Sequence, residues 1–461
     1  MKNINLAEYK NKHLHFVGAG GCSMSGLALI CSKLDEMGFK ITGSDKNMSP
    51  FVAELQKADI PVSIGHDEKN AANADLIIYS AAIKPDNVER VYAQQNNIPQ
   101  IERSDFLGAI SHLFDEVIAI AGCHGKTTIT SMLAKILIQA NLEPNVHVGG
   151  YVDFLNGGVA LGSSNLFVTE ACEYVDSYLS IEPTCILLNN IDDDHLDYFA
   201  DINAIVNSFK KFVSKLSSDQ LLVGNIEDEN VAKILESFSG RVVTYGFNNG
   251  DYQAQNIKTQ NGKTSFDCVL NGKKLFTVNL SVPGNHNAIN ALAAIIIAKE
   301  YGADDNSILT ALADYTLTKR RFEYYGTKNG VSYYHDYAHH PNEIKACLQG
   351  ARSVAQNKLY VVFQCNSYTR AKTLFCENVD CFNIADKVFV PDIYPGRETD
   401  TGIVHAKDMV NGINKADNDK AKYIPTFEEI NNYLDEIIEP GDLVVTLGSG
   451  DVYIQTNKLL V

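Results

Sequence analysis

The segment EVIAIAGCHGKTTITSMLAKILIQA, residues 116–140, decides the fold. Val117 to Ile120 is a short apolar run with the character of a strand, Gly122-Cys123-His124-Gly125 is a turn, and Lys126-Thr127-Thr128 opens an amphipathic helical pattern. A strand that breaks at glycines and enters a helix presents a row of backbone N–H groups at a helix N-terminus, a ready anion site. In this arrangement Lys126 reaches the β- and γ-phosphates and the Thr127 hydroxyl meets Mg²⁺. Gly122, His124, Gly125, Lys126, Thr127 and Thr128 are therefore expected to cradle a nucleoside triphosphate. Ile120 stands where the strict P-loop pattern has its first glycine.

The same order of apolar run, glycine-rich turn and amphipathic segment recurs on both sides. Upstream, His15-Phe16-Val17 leads into Gly18-Ala-Gly20-Gly21-Cys-Ser-Met-Ser-Gly26, and a second strand pattern, Lys40 to Ser44, ends at Asp45. Glycines there let a backbone approach a pyrophosphate, with Asp45 about where a ribose-binding acid would sit; a tight turn that binds nothing has the same appearance. Downstream, RRFEYYGTKNGVSYYHDYAHHP (320–341) has the pattern of strand, Asn-Gly hairpin turn, strand and loop, and Leu443 to Leu447 precede Gly448. Strands alternating with helical patterns predict an α/β fold with parallel sheets. Boundaries fall near residues 112 and 320, giving units 1–112, 113–320 and 321–461. Residues 240–280 alternate apolar and polar around an Asn-Gly turn, which predicts a small antiparallel patch inside the middle unit.

Length and composition agree. A chain of 461 residues suggests about three domains, and 45% apolar with 21% charged residues is ordinary for a globular protein. Lys+Arg of 39 against Asp+Glu of 56 gives 39 − 56 = −17, which argues against a nucleic-acid or anionic-membrane partner. The longest apolar run, Ala291 to Ala298, is eight residues, against roughly 20 for a membrane helix. The opening MKNINLAEYKNKHLHF has no apolar core or small-residue cleavage site, so a cytoplasmic location is expected. Ten cysteines are scattered without a Cys-x-x-Cys pair, which predicts reduced, mostly buried thiols and no zinc site. No motif points to an oligomeric state.

Two acidic motifs follow the P-loop: Glu170-Ala-Cys-Glu173-Tyr-Val-Asp176, and Asn189-Asn-Ile-Asp-Asp-Asp194-His195-Leu-Asp197. Each ends a β-rich run, so in a parallel sheet they stand beside the P-loop, and hard carboxylate oxygens with one imidazole suit Mg²⁺. Near the C-terminus, Asp336-Tyr-Ala-His339-His340-Pro341-Asn-Glu343 follows a strand, and Arg370 lies in Gln364-Cys-Asn-Ser-Tyr-Thr-Arg370.

Taken in order, GxGGxxMSG, GxHGKTT, EAxExxDS, NIxxDHLD, GxHNxxN (Gly284 to Asn290), RRFE and DYAHHPxE make the chain resemble the Mur ligases over nearly its whole length. The resemblance implies three α/β domains: a Rossmann-like N-terminal domain for a UDP-sugar, a central P-loop ATPase domain, and a C-terminal Rossmann-like domain contacting ATP and an amino acid. It also implies ATP-dependent joining of L-alanine to the lactyl carboxylate of UDP-N-acetylmuramate, the first peptide-stem amide of peptidoglycan. By the same resemblance, Lys126 would hold the γ-phosphate, Thr127 one Mg²⁺, and Glu173 and His195 a second. Asn287 and Asn290 would face adenine, Arg321 the phosphates and Asp336 the ribose of ATP. His340 and Arg370 would contact the amino-acid end, while Gly20, Gly21, Asp45, His66 and Ser80 would hold the UDP part. Two departures stand out: Cys365-Asn366 where many relatives read Pro-His, and Ser367 where some carry Arg. Within the family the alternative is a cell-wall recycling ligase that adds a tripeptide to the same sugar nucleotide. Outside it, an NAD-dependent oxidoreductase leaves the P-loop unused, and a non-catalytic P-loop switch leaves the DYAHHP loop unused.

Overall fold

The computed structural model describes residues 4–195, 198–396, 398–417 and 419–460; Leu196 and Asp197, which end the second acidic motif, lie outside the described residues. Three sheets form. The first has β1 (His13–Val17), β2 (Lys40–Asp45), β3 (Val62–Ile64), β4 (Leu76–Tyr79) and β5 (Gln100–Glu102), all parallel, in the order β3-β2-β1-β4-β5. The order reverses between β1 and β4, and such a switch point opens a crevice at the carboxyl ends of the strands.

The second sheet is built from β6 (Glu116–Ala121), β7 (Asn145–Val152), β8 (Gly157–Ala160), β9 (Leu166–Ala171), β10 (Cys185–Leu188), β11 (Leu221–Asn225), β12 (Arg241–Gly246), β13 (Tyr252–Gln260), β14 (Lys263–Leu270) and β15 (Lys273–Leu280). Its order is β15-β14-β13-β12-β11-β10-β6-β9-β7-β8, so β6 lies between β10 and β9. Val117 to Ala121 are all at most 1% exposed. A continuous apolar run of this kind belongs to a strand covered on both faces. The patch expected at 240–280 is the run of neighbours β13, β14 and β15, joined by Asn261-Gly262 and Asn271-Gly272 with every φ positive, as two-residue hairpins require.

The third sheet holds β16 (Glu323–Lys328), β17 (Val331–Asp336), β18 (Leu359–Phe363), β19 (Lys387–Val390), β20 (Ala421–Tyr423) and β21 (Leu443–Leu447), ordered β16-β17-β21-β18-β19-β20. Only β16 runs antiparallel to its neighbour, across the expected hairpin at Asn329-Gly330. Along β18, Leu359, Val361 and Phe363 join one apolar cluster while Tyr360 and Val362 join another. The two-residue period therefore buries both faces.

The chain divides into two compact units, 1–254 with 268–275 and 290–312, and 255–267 with 276–289 and 313–461. The first holds the first sheet and the parallel part of the second; the third sheet lies in the other. Parts of β13, β14 and β15 fall in each of the two units. Among the described residues no helix is long and apolar enough to cross a membrane. All ten cysteines are free, seven of them are buried, and only Cys376 is exposed.

Within the first unit, the helix Arg103–Ser111 packs against the turn Tyr174–Ser180, where a Cβ on Gly108 would lie 2.3 Å from the Ser180 carbonyl oxygen. Backbone cannot yield as a side chain does. Gly108→Ala is expected to cost about 1–3 kcal/mol of stability, read as a lower denaturant midpoint; an unchanged midpoint would show that helix and turn separate freely.

Candidate active site

Among the described residues, two α-helices that begin in the first unit start without a side-chain cap, and both follow glycine loops. Helix Lys126–Gln139 begins at Gly125 and helix Cys22–Lys33 at Gly21. Their neighbours Pro50–Lys57, Val88–Gln95 and Ile202–Val213 are capped by Ser49, Asn87 and Asp201. An uncapped start leaves backbone N–H groups to be satisfied by something else, and an anion suits them.

The P-loop is shaped from behind by asparagines that follow β10. Asn189 and Asn190 both donate to the His124 carbonyl, at 3.0 and 3.1 Å, and Asn190 accepts from the His124 N–H at 2.7 Å. Asn189 also donates to Asn290 (3.3 Å) and accepts from the Tyr245 hydroxyl (2.8 Å). Gly125 is needed here twice over. Its φ is +86°, and a Cβ would lie 2.7 Å from Asn189 and 2.8 Å from Asn290. The His124 ring sits 3.3 Å from Asp192.

Lys126 folds back into its own loop, donating to the carbonyls of Gly122 and Cys123 and pairing with Glu173 at 2.9 Å. Burial disfavours the ammonium, but Glu173 outweighs it, so the lysine pKa is raised and the charge is retained. The buried Glu173 lies 3.7 Å from His195 Nε2, and ligand atoms of Glu173, Asp194 and His195 all fall within 4.8 Å of one another. Two carboxylates and one imidazole form a donor set that fits Mg²⁺. Thr127 donates to Glu170 at 3.0 Å, so Glu170 is a second acid at the loop.

The backbone that carries these acids is bent. Val175 and Asp176 are left-handed (φ 51° and 56°), as is His195 (φ 55°). For a β-branched residue this costs on the order of 1–2 kcal/mol. Asp176 accepts from Ser208 and Tyr198, Ser177 donates to the Cys172 carbonyl, and the Tyr174 ring lies 4.6 Å from that of His195. These contacts hold the turn that aims Glu173.

At the switch point of the first sheet, Asp45 accepts from the Gly20 N–H (2.8 Å) and the Asn47 N–H (3.1 Å). Its carboxylate thus organises the glycine loop. Ser80 Oγ would be 3.2 Å from a Cβ on Gly18, and His66 bonds the buried Glu89 at 3.0 Å.

In the second unit, Asp336 accepts from the N–H groups of Phe322 and Ala338, both at 2.7 Å; burial raises its pKa against the pull of Arg321. His340 is 3% exposed and caps the helix Pro341–Val354, its ring accepting from Asn342 N–H. Glu343 links the His339 ring (3.4 Å) to Arg321 (3.5 Å). Asn287 donates to the Pro283 carbonyl at 2.7 Å. Arg370 lies in the short helix Tyr368–Thr373, whose start is held by Glu398 through Ser367 and the Thr369 N–H.

Sequence reasoning missed Asn189, Glu170, Glu343 and Glu89 as members of these sites. Glu170, Glu343 and Asn189 all lie within the motifs that mark these sites, but Asn189 and Glu89 act through partners distant in the chain.

Three stretches match family descriptions: residues 13–115 the Mur ligase family, catalytic domain; residues 120–298 the Mur ligase middle domain; and residues 320–450 the Mur ligase, glutamate ligase domain. The chain is 44% identical, over 98% of both chains, to a UDP-N-acetylmuramate–L-alanine ligase of Clostridium botulinum (strain Hall), and 43% identical, over 98% of both, to that of Clostridium acetobutylicum. Among solved structures it resembles a UDP-N-acetylmuramate–alanine ligase from Thermotoga maritima, with TM-score 0.79, 27% identity and 97% and 98% of the two chains covered. A murein peptide ligase from Psychrobacter arcticus shares the fold at TM-score 0.69 and 24% identity, covering 97% and 98%. With three domain matches in order and full-length relatives at this identity, the chain belongs to the Mur ligase family.

Proposed function

We propose that this protein uses ATP to join L-alanine to the lactyl carboxylate of UDP-N-acetylmuramate, in peptidoglycan precursor synthesis. The observation that carries the reading is the cluster of Lys126, Glu173 and His195 against a helix start with no side-chain cap, beyond the carboxyl ends of the neighbouring strands β6, β9 and β10. The names of the full-length relatives support the same substrate pair.

A carboxylate is a poor acyl donor. Its oxygen attacks the γ-phosphorus of ATP, the bond to the β-phosphate oxygen breaks, and an acyl phosphate and ADP result. The alanine amine then attacks the acyl carbon; the tetrahedral intermediate loses phosphate and a proton to leave the amide. Little covalent work falls to the protein, which positions the groups and neutralises charge. Lys126 is the cation for the transferring phosphoryl group. The free N–H groups at the helix start orient the phosphates. Thr127, Glu173 and His195 would hold Mg²⁺, with Glu170 and Asp194 beside them; when bound, the metal supplies charge neutralisation on phosphate oxygens. Residues 1–112 would hold the sugar nucleotide through Gly20, Gly21, Asp45, His66 and Ser80. Residues 113–320 would carry the ATP site, with Asn287 and Asn290 toward adenine, and residues 321–461 would contribute Arg321, Asp336, His340 and Arg370.

The deciding test offers the purified protein ATP, Mg²⁺ and UDP-N-acetylmuramate with each amino acid or a tripeptide, and identifies the product by mass. An alanine adduct is expected; a tripeptide adduct alone would make it the recycling enzyme.

Lys126→Ala is expected to lower kcat by about 10²–10³ in a folded protein; near-normal turnover would reduce the loop to a structural turn. Glu173→Gln and His195→Ala should each raise the Mg²⁺ concentration for half-maximal activity, and unchanged values in both would remove these residues from the metal site. Asp45→Ala should raise KM for the sugar nucleotide about tenfold while KM for ATP stays put, since the loop it braces would loosen. An equal change in both KM values would contradict separate nucleotide sites.

A further inference from the structure

Beneath the switch point of the first sheet lies a carboxylate with no access to water. Glu89, in the first turn of helix Val88–Gln95, is 0% exposed. Its Oε1 accepts from His66 Nδ1 (3.0 Å), Asn70 Nδ2 (3.1 Å) and the Asp67 N–H (3.3 Å), and its Oε2 accepts from Ser44 Oγ (2.7 Å) and His15 Nε2 (3.0 Å). A carboxylate offers about four lone-pair sites, so these donors leave no place for a proton. Burial would raise the pKa, but hydrogen bonds from His15, Ser44 and Asn70 outweigh it and bring it to about 2.

A chain of contacts runs from the Asn73 carbonyl to His13 (2.8 Å), Thr42 (2.7 Å), His15 (2.7 Å) and Glu89 (3.0 Å), so β1 and β2 also hold the carboxylate in place.

His66 closes the network. Ser44 has a single hydroxyl hydrogen and directs it to Glu89, so Ser44 Oγ can only accept from His66 Nδ1, 3.3 Å away. Both neighbours of that ring nitrogen are acceptors. Nδ1 must carry the hydrogen, and in the neutral ring Nε2 is left as a bare acceptor. We infer that Glu89 is a positioning residue: it locks His66 in its Nδ1–H form, so that Nε2 accepts a hydrogen bond from an N–H or O–H of the bound sugar nucleotide. This rests on the proposed sugar-nucleotide role of the first domain. It adds a requirement for one tautomer, which tells a donor on the ligand from an acceptor.

The test is ¹⁵N NMR of histidine-labelled protein at pH 8, with His66 assigned by its loss in His66→Ala. Wild-type His66 should show the Nδ1–H pattern. Glu89→Gln, whose amide can donate toward Nδ1, should shift His66 toward Nε2–H. It should also raise KM for UDP-N-acetylmuramate about tenfold, with kcat and KM for ATP little changed. In a His66→Ala background, Glu89→Gln should add nothing to that KM. An Nε2–H His66 in the wild type overturns the inference even if the variant fails to fold, and so does a further rise in KM in the double variant. A KM unmoved by His66→Ala, with the tautomer as expected, would instead sink the sugar-nucleotide reading of His66.

Discussion

The ion pair between Lys126 and Glu173 is the interaction on which the central site depends. An ammonium in a crevice this dry would be driven toward its neutral form without an anion beside it, and Glu173, itself 1% exposed, is that anion. Breaking such a pair by removing one partner typically costs about 3–5 kcal/mol. Glu173 thus keeps the lysine charged. The pair also explains the strained turn at Val175 and Asp176, which exists to bring Glu173 over the P-loop. In the proposed reaction an entering phosphate would supply a second anion for the lysine and free Glu173 for a cation.

Pre-organisation is the second theme. Asn189 ties the P-loop carbonyl, Asn290 and Tyr245 together before any ligand arrives. Asp45 does the same for the first glycine loop through the Gly20 N–H. In both loops the polar side chains bind the backbone from behind and leave the N–H groups of the helix start in front. A ligand that meets such a loop loses less free energy to ordering it.

Much of this was legible in the residues, for a physical reason. Glycines at 122 and 125 and the Gly-Lys-Thr triplet constrain backbone shape locally, so a single sequence displays them. The Asn-Gly turns at 271 and 329 were readable for the same reason. The acidic motifs beside the P-loop pointed to a cation, and the family resemblance narrowed them to Glu173 and His195. Glu89 was invisible because VERVYAQQ has the look of an ordinary surface helix, and only folding sets it under His15 and His66. Asn189 was hidden likewise, since its partner Asn290 lies 101 residues further along. Nor could composition show that compact units divide inside β13 to β15 and inside one helix, because no break in the chain accompanies the change.

The distribution of thiols sets how this enzyme meets oxidants. Cys123 sits in the phosphate loop itself, bonded to the Asp192 backbone and 8% exposed. Burial, reinforced by Glu173, pushes its pKa well above the usual thiol range. Thiolate, not thiol, is the form that peroxides and alkylating agents attack. Burial first, and then the anion that serves Lys126, thereby disfavour the thiolate of this P-loop cysteine. The exposed Cys376, on the helix Phe375–Val379, is left as the first thiol such reagents meet. By exposure alone, sulfur on the surface of the C-terminal sheet's domain is more open to such reagents than sulfur in the P-loop.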